Sequence, residues 1–323
     1  MKEVLQKLHG DASTRTYSRG KREDGSTFIV MQMPAGKMSV SEEITNLKER
    51  PRELPFLNIA RFLRSHDLPV PEVLEFREKE GQILLEDLGD STLETVLHQA
   101  EQRHWKGWYQ KAIDLLIRIQ SIPINRPADC IALQRSFDAT LYNWEFDHFW
   151  EYYVEKVSRP ASSDRGLFEA ETRKITKVLL GEPLVFTHRD FQSRNLMVQE
   201  ERLRLIDFQD ALLGPAAYDL VALLRDSYIE LDGKMVDQLI GYYLEKRAEP
   251  GGLESFKRVF DYLTIQRKLK DAGRFVYIDQ VKQNRSFLKF IPASLRYVKQ
   301  ALERRHELQP LLNLLKKYVP ELQ

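Results

Sequence analysis

The 323-residue sequence predicts an α+β fold in two lobes, a small β-rich amino-terminal lobe and a larger helical carboxy-terminal one. Three observations lead to it. Up to about residue 89, short alternating stretches are separated by turn residues, the pattern of strands. After Asp90 the apolar positions recur with the 3.6-residue period of helices. Within the helical part, strand-like runs flank two polar segments, "THRDFQSRN" (187–195) and "RLIDFQD" (204–210).

The elements follow in order. From Gly10 to about Met33, "TRTYSR" alternates, "KREDGS" supplies a turn around Asp24-Gly25 and "TFIVMQM" reads as a strand. "FLNIARFLRSHDLPVPEV" is expected to be a helix ending near Asp67, because Pro69 and Pro71 force extended backbone. "EVLEFREKEGQILLEDLG" reads as a hairpin turning near Gly81, whose second strand runs into a connector at residues 86–89. That connector divides the chain into 1–89 and 90–323. "STLETVLHQAEQRHWKGWYQKAIDLLIRIQSI" then opens on a Ser/Thr cap and is helical. "SRPASSDRG" and "RAEPGG" read as surface turns.

Composition excludes several classes. The apolar share of 42% and charged share of 30% are those of an ordinary globular protein. A formal net charge of +1 gives no overall field to attract nucleic acid or an anionic membrane. A single cysteine, Cys130, rules out an internal disulfide and fits a reducing compartment. No run approaches the length of a membrane span and the first residues lack a signal-peptide core, so a soluble, cytoplasmic chain is expected. No obligate protein partner is evident; the expected partners are small molecules.

The chemistry lies in the two polar segments. Phosphoryl transfer needs a hydroxyl aimed at the γ-phosphorus, Mg²⁺ on the phosphate oxygens and a carboxylate to receive the proton. In "HRDFQSRN" Asp190 suits the proton acceptor, and Asn195, five residues on, can return across the loop as a metal ligand. In "IDF" an apolar strand would carry Asp207 to the mouth of a cleft as the main Mg²⁺ ligand. His188 completes the catalytic segment as a brace of its loop. An H-x-D alone is weak, and an Asp after a strand is usually a turn residue. H-x-D-x-x-x-x-N, a strand and then I-D-F in register is far more specific. Arg189, Gln192, Gln209 and Asp210 stand beside the chemistry as candidate substrate contacts; each could equally be a brace.

Here the chain resembles the aminoglycoside phosphotransferase and choline kinase superfamily, relatives of the protein kinases. The resemblance rests on the loop, the metal aspartate and "GPAAYDLVALLRD" (214–226), and it implies a bilobal kinase-like fold. It also implies that Asp219 props up the catalytic loop. "GDASTRTYSR", "FIVMQMP", "ILLEDLGD", "FQDA" and "IQRKLKDAGRF" resemble one branch, the anomeric kinases for N-acetylmuramate and N-acetylglucosamine of bacterial cell-wall recycling. The resemblance spans Gly10 to Phe275. It implies ATP and Mg²⁺ as cofactors and a small-molecule sugar as acceptor. It further implies a phosphate loop marked by Gly10, with hydroxyls from Ser13 and Thr14, and an adenine site on the hinge backbone of Glu86 and Leu88. For the hydroxyls a plain polar turn is an equal reading.

The small lobe departs from the kinase pattern. Met31 stands where a strand lysine is expected, and Asn58 stands near the place of its helix glutamate, with Glu53 the nearest preceding acid. Arg15, Arg19 and Lys37 are candidates for the missing positive charge. A non-catalytic nucleotide-binding relative is one alternative. Another is a kinase for a cationic acceptor, suggested by the acidic stripe of Trp144, Asp147, Glu151 and Glu155, although a solvated face beside the apolar stripe of Phe146, Phe149, Trp150, Tyr153 and Val157 explains it better. "QRKLKDAGR" could bring Arg267 and Lys270 to a substrate carboxylate; a surface cluster is an equal reading.

Overall fold

The alternation in "TFIVMQ" becomes the central strand of a five-stranded antiparallel sheet in the computed structural model, which describes residues 6–8, 15–33, 53–156, 158–247 and 252–323. The strands are β1 (Gln6–Lys7), β2 (Thr16–Lys21), β3 (Thr27–Gln32), β4 (Val73–Arg77) and β5 (Gln82–Glu86), in the order β1-β2-β3-β5-β4. Period-two alternation gives β3 two apolar faces. Phe28 and Val30 form a small cluster with Leu84, whereas Met31 joins the main core with Ile83 and Leu85. Burying a side chain of that size contributes about 1.5–3 kcal/mol.

Helix α1 (Pro55–Ser65) crosses between β3 and β4, with proline in its first turn. Phe56, Ile59, Ala60, Phe62 and Leu63 make its buried stripe. It stops where expected. Asp67 turns left-handed (φ 55°), and the Asp67 and Leu68 amides donate to the Arg64 and Leu63 carbonyls.

After the connector the chain is mainly helical. α2 (Leu93–Gln99) is capped by Thr92, whose hydroxyl accepts from the Thr95 amide. Sequence periodicity continued into α3 (Trp105–Gln120), but a short 3₁₀ turn at Gln102–His104 separates the two helices. α4 (Ala139–Phe149) is capped by Asp138 and runs on as a π-helical stretch, Trp150–Glu155. α5 (Ser162–Leu179) leads into β6 (Leu184–Thr187), β7 (Leu196–Gln199), β8 (Arg202–Leu205) and β9 (Leu212–Pro215). β6 pairs with β9, and β7 with β8. Helices α6 (Ala217–Leu224), α7 (Gly233–Arg247), α8 (Gly252–Lys282), α9 (Ile291–Arg304) and α10 (Gln309–Leu315) complete the lobe. No described helix is long and apolar enough to cross a membrane.

Several contacts join the sheet region to the rest, those of Arg19, Arg204 and Phe56 among them. Arg19 on β2 forks onto Asp87 (2.6 and 3.0 Å) and Asp90 (2.8 and 3.1 Å), holding the connector. Arg204 on β8 binds both carboxylate oxygens of Glu86 (3.0 and 2.6 Å). Phe56 of α1 stacks on Phe208 with centroids 4.9 Å apart, so the helix of the small lobe rests on the residue after Asp207.

Candidate active site

The strand registers bring the two polar segments together. β6 delivers His188, Arg189 and Asp190 at its end. β7 begins just after Asn195 and β8 ends just before Ile206. Because Leu196 pairs with Leu205, Asn195 and Asp207 emerge from the same end of the hairpin, and the Ile206 amide donates to the Asn195 carbonyl (3.1 Å). A motif spread over twenty residues thus converges through one two-stranded register.

The 188–195 segment is held from three sides. Asp219, buried in the first turn of α6, accepts the His188 amide (2.7 Å) on one oxygen and the Arg189 amide (3.0 Å) on the other. Those bonds stabilise a left-handed Arg189 (φ 75°), a conformation costly for a residue with a side chain. Burial pushes the Asp219 carboxyl up to about 6, against the opposing pull of His188, Arg267 and the loop amides. His188 accepts the Asp190 amide at Nδ1 (3.2 Å) and faces the Ile206 carbonyl with Nε2 (3.0 Å). That pair of contacts requires the neutral Nε2–H tautomer, and burial lowers the imidazole pKa accordingly. His188 therefore stitches the two polar segments together with no proton to give up.

Asp190 opens to the cleft, its side chain 38% exposed. Arg267 of α8 donates to its Oδ1 (3.0 Å) and to the Arg189 carbonyl. Burial would raise the Asp190 pKa, but Lys270, Arg267 and Arg189 together outweigh it and hold the carboxyl far below the usual range. Asn195 donates its amide hydrogen to the Asp190 carbonyl (2.8 Å), which turns its own Oδ1 away from that bond.

Asp207 is 41% exposed and left-handed (φ 62°). Burial and the charges of Asp190 and Asp210 push its carboxyl up to about 6. Gln209 donates to Asp207 (2.8 Å) and Asp210 (3.1 Å), so its buried amide separates the two acids. Arg135 fixes this turn by donating to the Gln209 and Ala211 carbonyls (2.6 and 2.9 Å). A carboxylate crowded by like charge and open to solvent is a natural cation ligand. The donors here, Asp207 and Asn195, are all oxygen, as hard Mg²⁺ prefers. Among the described residues no three His, Cys, Asp or Glu side chains form a metal cage. A Mg²⁺ completed by phosphate oxygens and waters needs none.

The other sequence candidates divide. Arg189 is buried against Glu145 (3.2 Å), which also accepts Gln266, so its guanidinium braces the lobe interior. The Gln192 backbone amide donates to the Asp190 carbonyl (2.9 Å) and its backbone carbonyl accepts the Asn195 amide (2.9 Å), while the residue is half-buried. Asp210 keeps one buried carboxylate oxygen with no protein partner. At the connector the Glu86 amide is spent on the Glu72 carbonyl (2.9 Å) and its side chain on Arg204, so a base would meet the Glu86 carbonyl and the Leu88 backbone. Gly10, Ser13 and Thr14 lie outside the described residues, as does Lys37.

Sequence reasoning left two readings of one cluster open, and the surface reading is excluded by burial. Arg267 and Lys268 are each 1% exposed, so "QRKLK" is no surface patch: Arg267 anchors Asp190, and Lys268 binds Ser227 and Asp271. Three cations in a helix otherwise apolar enough to be buried were the available signal. Sequence reasoning missed Asp226, which accepts the Ser193 amide (2.9 Å) and hydroxyl and so pins the loop between Asp190 and Asn195. The acidic stripe of α4 and the π-helical stretch faces a surface hollow. Asp147, Glu151 and Glu155 line it with Lys156 and Arg165, and Arg165 pairs with Asp147.

A β-rich lobe hinged to a helical lobe, with a braced loop aspartate facing a second aspartate after a strand, defines a kinase-type phosphotransferase. The model of the phosphotransferase enzyme family (APH) matches residues 4–256, and the chain belongs to that family. It is 33% identical over 314 residues to an N-acetylmuramate/N-acetylglucosamine kinase of Neisseria meningitidis serogroup B, covering 94% of this chain and 87% of that one. A Pseudomonas aeruginosa protein of the same name is 30% identical over 314 residues, covering 94% and 86%. Among solved structures, the choline kinase LicA from Streptococcus pneumoniae shares the fold with a TM-score of 0.62 at 17% identity, covering 93% and 92% of the two chains. ADP-bound aminoglycoside phosphotransferase APH(2'')-Ib gives 0.60 at 16%, covering 95% of each.

Proposed function

We propose that the chain is an ATP- and Mg²⁺-dependent sugar kinase that phosphorylates the anomeric hydroxyl of an N-acetylated amino sugar. One observation carries the mechanism: Asp190 is kept ionised by three cations beside Asp207, a carboxylate crowded by like charge and open to the same cleft. The names of the relatives support the choice of acceptor.

In this reading Arg267 occupies Oδ1 of Asp190 and leaves Oδ2 for the acceptor hydroxyl. A carboxylate held so far below its usual range is a weak base, so it orients the hydroxyl and takes the proton late. A loose, metaphosphate-like transition state asks no more of it. An anomeric hydroxyl, more acidic than an ordinary alcohol, suits such a base. Asp207 and the Oδ1 of Asn195 would hold Mg²⁺, which when bound neutralises charge on the phosphate oxygens. Asp219 and His188 keep the loop in register, while the hinge backbone at Glu86 and Leu88 faces the base. Asp210, half-buried and bonded to Gln209 beside Asp207, is the candidate contact for a sugar hydroxyl. The buried, reduced thiol of Cys130 accords with a reducing, cytoplasmic setting.

The test is ³¹P NMR of the purified protein with ATP, Mg²⁺ and N-acetylglucosamine or N-acetylmuramate. A sugar 1-phosphate resonance is expected, and it should vanish in Asp190→Ala. ATP bound but left intact with every acceptor would overturn the reading in favour of a nucleotide-binding role. Met31, fully buried in the lysine position, already raises that second reading.

A further inference from the structure

Among its described residues, the small lobe sets no lysine at the β3 position from which a kinase usually reaches the phosphates. Met31 is fully buried in the core, and the helix offers no partner for a lysine there. Asn58 is committed at both ends, donating to Glu53 (3.1 Å) and accepting the Ile131 amide (2.8 Å), while Glu53 takes Arg61. Among the described residues, the charge has to come from another position. Arg19 is spent on the connector through Asp87 and Asp90. Arg267 holds Asp190, Arg189 holds Glu145, and both come from the helical lobe.

Arg15 is placed differently. It immediately precedes β2, where the chain returns from the residues that the sequence marks for the phosphates. Register pairing sets Tyr17, two positions on, opposite Met31. Tyr17 is hydrogen-bonded to Arg15, and the Arg15 side chain, only 13% exposed, sets Nη1 4.0 Å from Oδ1 of Asp207. This is a loose ion pair, longer than the direct hydrogen bonds that tie Arg19 and Arg267. It also spans from the sheet side to the carboxylate read as the metal ligand.

We infer that Arg15 is the phosphate-binding cation of this enzyme, standing in for the missing strand lysine: without nucleotide its guanidinium rests on Asp207, and with nucleotide it passes to the phosphate oxygens. A planar fork matches phosphate oxygens better than a lysine point charge does. Reaching in from β2 leaves the Met31 position free to stay apolar. Resting on Asp207 meanwhile offsets the crowding of that carboxylate by Asp190 and Asp210. The inference rests on the kinase reading of Asp207.

Binding without turnover tests it. Calorimetric titration of the full-length protein compares ADP, with and without Mg²⁺, against adenosine, which has no phosphate. Arg15→Met should weaken ADP binding about tenfold or more, the scale of one charge-assisted phosphate contact, and leave adenosine unchanged. Arg15→Lys should recover part of the loss. In turnover, KM for ATP should rise and KM for the sugar stay put. A structural role would move both ligands together, so the ADP-to-adenosine ratio is decisive. Should Arg15→Met fail to fold, Arg15→Gln is judged by the same ratio. An unchanged ratio in a variant of a protein that still phosphorylates sugar overturns the inference and leaves the kinase reading standing. Wild type that neither binds ADP nor phosphorylates sugar removes both.

Discussion

At Asp190 and Asp219 the same fold drives two carboxyls of one loop and its brace in opposite directions. Cations win at Asp190, and burial wins at Asp219. Asp190→Asn should lower kcat by about 10²–10⁴-fold, the range for a positioned proton acceptor, while ADP affinity by titration stays near wild type. Asp219→Asn leaves one loop amide facing an NH₂ group. It should cost about 1–3 kcal/mol in urea unfolding and lower kcat together with it. His148 supplies the pH test. It is buried against Trp144, Tyr152 and Tyr277, and burial, with Arg274 and Lys270 nearby, lowers its pKa to about 4 from an unfolded value near 6.5. The unfolded chain then binds the extra proton, so stability from this residue is full above pH 6.5 and declines as pH falls towards 4. Asp219, with a raised folded pKa, works the other way between about 6 and 4. In His148→Phe the melting temperature should fall less from pH 7 to pH 5 than in wild type. An equal fall would assign the acid loss to other groups.

At the element scale, two places test the packing that positions the site. Gly273 lies where α8 crosses α4. A Cβ there would meet the Phe149 Cα at 2.6 Å and the His148 carbonyl oxygen at 2.9 Å, both backbone and unable to swing aside. Gly273→Ala should therefore destabilise by about 1–3 kcal/mol and disturb Arg267, almost two turns earlier on the same helix. Calorimetric melting and kcat should fall together. The β7–β8 hairpin offers the opposite case. Glu200 and Glu201 both adopt positive φ (49° and 59°), the geometry of a type I′ turn that favours Asn-Gly. Replacing the pair by Asn-Gly should stabilise the protein by about 0.5–1 kcal/mol without altering turnover, since the hairpin's other end carries Asn195 and Asp207. The two strand-like runs of the hairpin were legible in the sequence. Gly273 was not, because its close approach involves a helix more than a hundred residues away.

Over the whole molecule, a few side chains link the sheet region to the helical lobe, and the site lies between them. Glu86 with Arg204 is the most direct link, a bidentate pair between the end of β5 and β8. A double-mutant cycle with Glu86→Gln and Arg204→Met should give a coupling of about 0.5–2 kcal/mol. Because the pair sits beside the hinge backbone, KM for ATP should rise more than KM for the sugar. Equal effects on both would mean that the pair only stabilises the fold.

Local pattern determined much of this protein. Alternation marked the strands, Asp67 and the prolines closed α1, and H-x-D-x-x-x-x-N followed by I-D-F named Asp190, Asn195 and Asp207, because such signals depend on neighbours within a few residues. What only the tertiary structure decided is which charges meet. Arg267 reaches Asp190 across 77 positions, Asp219 reaches the loop amides across about thirty, and Arg15 reaches Asp207 from the opposite lobe. A guanidinium in a sequence reads the same whether it will face water or a buried carboxylate. Its role follows from burial and from the partner that packing sets within a few ångströms, where Coulomb energy is large; neither is encoded in the few residues around it.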